Sequence, residues 1–206
     1  MVLADAVIFL LILALLLRRD LSAIGRIVYR GGWKLAVVVA GLFALQAIMI
    51  LYVPGQTVLQ MALLILSQMA LVFLLLLNRH VPGAQLFALG ITLNIAVMVA
   101  NGGWMPVTPE THYFVHPDRP AEVQARQMSS KNVILPRTET NLWILSDIIP
   151  VTLPWRRNAV SIGDVLLILG AAQFIFQATS KIEGPLGVLG LERASDCRTI
   201  ARTGPS

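Results

Sequence analysis

The stretch VLQMALLILSQMALVFLLLL, Val58 to Leu77, runs for twenty residues without a single charge. An α-helix rises 1.5 Å per residue, so about twenty residues cross a hydrocarbon core of roughly 30 Å. On this reading Val58 to Leu77 is a membrane span. Upstream, across the uncharged Pro54-Gly55-Gln56-Thr57, Leu35 to Val53 is equally free of charge. Val2 to Leu17 is interrupted only by Asp5, and reaches spanning length by recruiting Met1 or the stems of Arg18 and Arg19. Downstream, residues 84–102 carry only Gln85, Thr92, Asn94 and Asn101 as polar members, and Ile162 to Ala178 is the last apolar segment. The expected fold is an all-α integral membrane bundle of about five helices. It forms one domain over residues 1–178, with a long extracytoplasmic loop at 103–160 and a cytoplasmic tail at 179–206.

Composition points the same way. Hydrophobic residues make up 56% of the 206 and charged ones 13%, which is too little charge and too much apolar surface for an ordinary soluble domain of this length. The net charge of +5 does not imply nucleic acid, because the basic residues flank apolar runs without interleaved aromatics. The bilayer is the expected partner, with other membrane subunits or a second copy of the chain beside it. The single cysteine, Cys197, excludes an intrachain disulfide. The first segment has Arg18-Arg19-Asp20 where a signal peptide would carry small residues, so it reads as a retained anchor.

Lysine and arginine set the orientation. Arg18, Arg19, Arg26, Arg30 and Lys34 lie between the first two segments, whereas the Pro54 turn has no charge, so the first loop is expected in the cytoplasm and the N-terminus outside. The C-terminus then falls in the cytoplasm. Arg156 and Arg157, on the outer side, run against this bias. Asp20 to Lys34 has the spacing of a short interfacial helix. No ionisable side chain lies near the middle of any segment, which argues against a coupled carrier. The midspan Gln46, Ser67, Gln68, Asn94 and Gln173 suit interhelical hydrogen bonds, and Ala88, Thr92, Ala96 and Ala100 form a small-residue stripe for helix packing.

The polar individuality of the chain lies in the long loop. Asn101-Gly102-Gly103-Trp104-Met105-Pro106-Val107 ends the fourth segment: the glycines permit a left-handed turn and the proline stops the helix. Asn101 and Trp104 are ligand candidates there. In Ser129-Ser130-Lys131-Asn132 a cation adjoins three hydrogen-bonding side chains, a set suited to an anionic group, with a turn or cap as the plainer explanation. Asp147 stands alone in the apolar Leu142 to Val151 and needs a partner, for which Lys131, Arg137, Arg156 and Arg157 are available. Ser161-Ile162-Gly163-Asp164 fits a helix cap. Asn141 to Pro154 is apolar but too short to span, the profile of a re-entrant or interfacial segment. His112 and His116 have a metal-like spacing, but Pro109 and Pro117 leave little room for a helix, so no metal and no cofactor is expected.

The order of NGGWMPV, SSKNVILP, LWILSDIIPV and SIGDVLL resembles a family of bacterial multi-pass membrane proteins known as a domain of unknown function, across about Met1 to Phe176. The resemblance implies residence in the bacterial inner membrane. It also implies importance for Asn101, Gly102, Gly103, Met105, Pro106, Ser130, Lys131, Asn132, Asp147, Gly163 and Asp164. It supplies no activity, substrate or cofactor. The function expected is non-enzymatic: the loop binds a lipid headgroup, a small solute or a partner subunit through Asn101, Trp104, Ser130, Lys131, Asn132, Asp147 and Asp164. No catalytic residue is assigned. An enzyme acting at the outer face is the alternative, and a pore or carrier is third.

Overall fold

The computed structural model describes residues 2–126 and 130–179, Ala36 by its backbone only. The chain is mostly helical. Its main helices are α1 (Val2–Leu16), α2 (Gly32–Leu51), α3 (Val58–Leu77), α4 (Ala84–Ala100) and α6 (Ile162–Ala178), with a short α5 (Pro109–Val115) in the loop. The α2 and α3 helices are long and apolar enough to cross a membrane, and α1, α4 and α6 are shorter apolar helices. The boundaries follow local chemistry. Thr57 caps α3 through a reciprocal pair, Gln60 N to Thr57 Oγ1 at 3.3 Å and Thr57 N to Gln60 Oε1 at 2.9 Å. The segment from Asp20 to Lys34 forms only a 3-10 turn, Leu21–Arg26, in place of a full interfacial helix.

Packing runs α2, α3, α4, α6, α1, so that α4 and α6 occupy the centre. Their contact is backbone on backbone. A Cβ at Gly83 would sit 2.1 Å from the Gly170 carbonyl oxygen, and one at Gly90 would sit 2.6 Å from that of Gly163. Both helices place these glycines seven residues apart, two turns along one face, and the antiparallel arrangement matches them pairwise. The close approach therefore uses glycines. The stripe expected from Ala88 to Ala100 does not serve it, since Thr92 and Ala96 face outward and only Ala88 is buried. Gln46 Nε2 donates to Ser67 Oγ at 3.1 Å, tying α2 to α3.

The C-terminal carbonyls of these helices, which lack helical partners, are closed by side chains from elsewhere. Arg19 Nη1 donates to Phe176 O at 3.0 Å and to Thr179 O at the end of α6. Asn101 Nδ2 bonds Val97 O and Asn141 O, each at 2.8 Å, while Asn141 Nδ2 bonds Ala100 O at 3.0 Å. The most complete closure is by Arg126. Its guanidinium donates to Met49 O, Ile50 O, Val53 O and Gly55 O around the end of α2, and its Nε donates to Ser130 O. Its face lies 4.7 Å from the ring of Trp104, which is buried against Leu64 and Val133.

The loop is ordered by these anchors. Strand β1 (Met105–Val107) pairs in parallel with β2 (Asn132–Ile134), with Met105 opposite Asn132, and α5 lies on the connection between them. Pro109 occupies the first turn of α5 behind the Thr108 cap, so a short helix forms where the two prolines were expected to leave too little room for one. The segment read as re-entrant or interfacial takes the form of a 3-10 turn, Trp143–Leu145, followed by β3 (Ile149–Leu153), which forms a hairpin with β4 (Arg156–Val160).

Two outcomes follow for stability. Gly90→Ala is expected to cost about 1–3 kcal/mol by overpacking, whereas Gly41→Ala on α2, with nothing within 4 Å, should be neutral or slightly stabilising. Thermal unfolding in detergent reads the difference. In the same assay Arg126→Lys should cost about 2–4 kcal/mol, because an ammonium cannot serve five acceptors arranged around a planar fork.

Candidate functional site

A cavity of about 760 Å³ lies where the loop meets the helix ends. The first turn of α6 supplies one wall. Ser161 Oγ donates to Asn94 Oδ1 at 2.9 Å, Asn94 Nδ2 donates to Asp164 Oδ1 at 3.0 Å, and Asp164 N returns to Ser161 Oγ at 3.0 Å. The cap expected at Ser161 and Asp164 is thus present and is locked to α4 at Asn94. The glycine at 163 makes this possible, since a Cβ there would lie 2.1 Å from Asn94 Oδ1.

The β1–β2 pairing supplies the second wall. Met105 N bonds Lys131 O at 3.0 Å, which fixes the backbone at Lys131 and Asn132. Ser130 Oγ donates to Asn132 Oδ1 at 2.9 Å, and Asn132 Nδ2 donates to Asp147 Oδ2 at 2.8 Å. Asp147 is 4% exposed, and its other oxygen, Oδ1, is buried without a hydrogen-bond partner. The remaining wall comes from α5 and the turn after it, the strand that follows the hairpin turn, and the tips of α1 and α2: His112 and Val115 with His116 and Arg119, Arg156 to Asn158, and the apolar Val2, Ala47, Ile50 and Leu51.

Of the seven candidate residues, Ser130, Lys131, Asn132, Asp147 and Asp164 line this one cavity. Asn101 does not; it is spent on closing α4. Trp104 is buried under Arg126 and its indole nitrogen has no hydrogen-bond partner. Ser129 and the C-terminal tail lie outside the described residues. Asp147 makes no direct ion pair among them, contrary to the expectation of a structural one. Of its four candidate partners, Arg137 stacks 3.6 Å from the Trp143 ring, Arg156 pairs with Asp5 of α1, and Arg157 sits over Phe114. Lys131 alone acts on it, through space.

The electrostatics follow from that arrangement. Burial pushes the Asp147 carboxyl up from 3.8 to about 6; the Lys131 charge and the Asn132 hydrogen bond oppose the shift, and Asp164 adds to it. Burial pulls Lys131 down, but Asp164 and Asp147 together outweigh it and hold the ammonium above its ordinary value. His116 is lowered by burial and by the Arg119 and His112 charges, so it is mainly neutral at pH 7. Four cations line the cavity, Arg119, Lys131, Arg156 and Arg157. Asp147, Asp164 and the Asp5 partner of Arg156 offset three of them, which leaves one net positive charge among the described residues.

Sequence reasoning did not single out Arg119, Arg126 or Asn158. The Asp5–Arg156 pair did have a signal: an acid at the outer end of the first segment and an arginine against the charge bias on the same side.

Fold and site define a helical protein whose long inter-helix loop roofs a charged cavity over the helix ends. The chain belongs to the family of unknown function DUF5317, whose model matches residues 26–176. An uncharacterized protein of Thermotoga maritima is 36% identical over 113 residues, which cover 54% of this chain and 60% of that protein. The chain therefore spans less than two thirds of that relative's length. No solved structure matches.

A folded-state pKa raised above the unfolded one favours folding below the unfolded value and disfavours it as pH rises through the folded value. Between about pH 4 and pH 6, ionisation of Asp147 should therefore cost the protein stability, on the order of 2–3 kcal/mol. Asp147→Asn removes that cost, so its stability relative to the parent should be greater at pH 7.5 than at pH 4.5. Denaturant melts at the two pH values check this.

Proposed function

We propose that this chain is a non-enzymatic, five-span protein of the bacterial inner membrane, N-terminus outside, whose outer loop binds the polar head of a membrane amphiphile. The observation that carries the reading is the cavity: charged and hydrogen-bonding groups of the loop face it, while Val2, Ala47, Ile50 and Leu51 give it an apolar side at the helix tips. A molecule with a polar head and an acyl chain matches both. The apolar outer faces support a lipid surround, since α2 buries none of its span and Phe9, Leu16, Phe43, Leu66 and Phe73 are exposed. Pairing of Arg156 with Asp5 supports the outward placement of the loop, because it neutralises an arginine that breaks the charge bias. The exposed Trp33, Tyr52 and Trp155 suit headgroup depth.

The test is lipid retention. After extraction in mild detergent, native mass spectrometry should find phospholipid on the parent chain and at least a tenfold loss on the Lys131→Ala/Asn132→Ala/Asp147→Asn variant. Equal retention by a variant that melts like the parent overturns the reading.

A second reading has its own observation. An Asp147 held near pH 6, close to Lys131 in one cavity, suits acid–base chemistry at neutral pH. It requires headgroup turnover in vesicles that Asp147→Asn abolishes.

A further inference from the structure

The headgroup reading leaves the head's chemistry open, and the hydrogen-bond inventory of the cavity narrows it. Among the described residues, the buried polar atoms on the lining that lack partners include Asp147 Oδ1, an acceptor, and Asn158 Nδ2, a donor. A buried polar group without a partner costs free energy comparable to a lost hydrogen bond, so such atoms mark what a ligand must supply. Here it must supply a donor and an acceptor. Among the described residues, neither Arg119 nor Arg157 lies within 4 Å of a carboxylate, although both line the cavity. Guanidinium groups of this kind favour phosphate oxygens.

We propose that the cavity selects a singly anionic phosphate ester bearing free hydroxyl groups, its phosphate at Arg119 and Arg157 and its hydroxyls at Asp147 Oδ1 and Asn158 Nδ2. This rests on the headgroup reading for the source of the ligand, but the chemistry stands apart from it. An ammonium-bearing head fits poorly. Lys131 already serves the charges of Asp147 and Asp164, and a further cation would enter a cavity with one net positive charge. A bare phosphate fits poorly as well, because near neutral pH much of it carries a second negative charge, which the single excess positive charge of the cavity does not balance. A hydroxyl both donates and accepts, and one phosphodiester charge balances the excess.

Phosphatidylglycerol and phosphatidylmethanol separate these contributions, since they carry the same diester charge and differ in the head hydroxyls. Binding of each to the full chain is measured by native mass spectrometry in detergent micelles, beside phosphatidylethanolamine and phosphatidylcholine. Water-soluble glyceryl methyl phosphate and dimethyl phosphate, both singly charged diesters, form a matched second pair. The expected result is a preference of about tenfold for phosphatidylglycerol over phosphatidylmethanol, equivalent to ~1.4 kcal/mol. Asp147→Asn and, separately, Asn158→Ala should bring that ratio toward one, while Arg157→Ala weakens both lipids equally. A ratio near one in the parent chain overturns the inference and leaves the headgroup reading standing. If glyceryl methyl phosphate beats dimethyl phosphate while neither anionic lipid exceeds phosphatidylcholine, the hydroxyl-phosphate chemistry holds and the headgroup reading fails. If no ligand of either pair binds above phosphatidylcholine, both fail.

Discussion

The contact between α4 and α6 sets the positions of everything else. Gly83 meets Gly170 and Gly90 meets Gly163 at distances that leave no room for a Cβ, so the two helices are held in one register by steric exclusion. Sliding either helix by a single residue would bring side chains into the backbone of the other. That register puts the first turn of α6 beside Asn94, and Asn94 then completes a ring with Ser161 and Asp164. The acidic end of the cavity is therefore a product of helix packing, although Asp164 also serves as an ordinary capping residue.

Over this pair the loop is held by the demands of the helix ends. In an apolar medium an unpaired carbonyl costs several kcal/mol, and here the free carbonyls of α2, α4 and α6 are met by Arg126, by Asn101 with Asn141, and by Arg19. Two of these closures come from the loop itself. Closing the helices and folding the loop are thus one process: the same arginine that caps α2 also fixes the Ser130 carbonyl, next to Lys131.

Among the described residues, the cavity gathers charge without direct ion pairing of its central groups. Lys131 is held between the fields of Asp147 and Asp164, and Asp147 is satisfied on one oxygen only. A site built only for stability would close that oxygen, because a buried half-satisfied carboxylate costs more than an apolar replacement. The surrounding arginines are turned to other work: Arg137 and Arg157 lie over aromatic rings, and Arg156 ties the hairpin to α1.

The sequence by itself determined the five long apolar helices, their ends to within about three residues, and the placement of polar residues in one loop. The bounds of α3 and α6 match the apolar runs, and α4 ends at Ala100, two residues short of its expected end, because uninterrupted apolar stretches, a capping Ser161 and the Gly102-Gly103-Pro106 stop are local signals, read from neighbours along the chain. It also named Ser130 to Asn132, Asp147 and Asp164, which line one cavity. Their meeting was decided by the tertiary structure, since it depends on a parallel pairing of Met105 with Asn132 and on a glycine seam between helices some seventy positions apart. The same is true of Arg126 and Asn101. Nothing adjacent to Arg126 marks it as the cap of a helix that ends at Leu51, and nothing beside Asn101 marks Asn141 as the partner of its amide. A side chain's type limits which bonds it forms; only the fold places the partner within 3 Å.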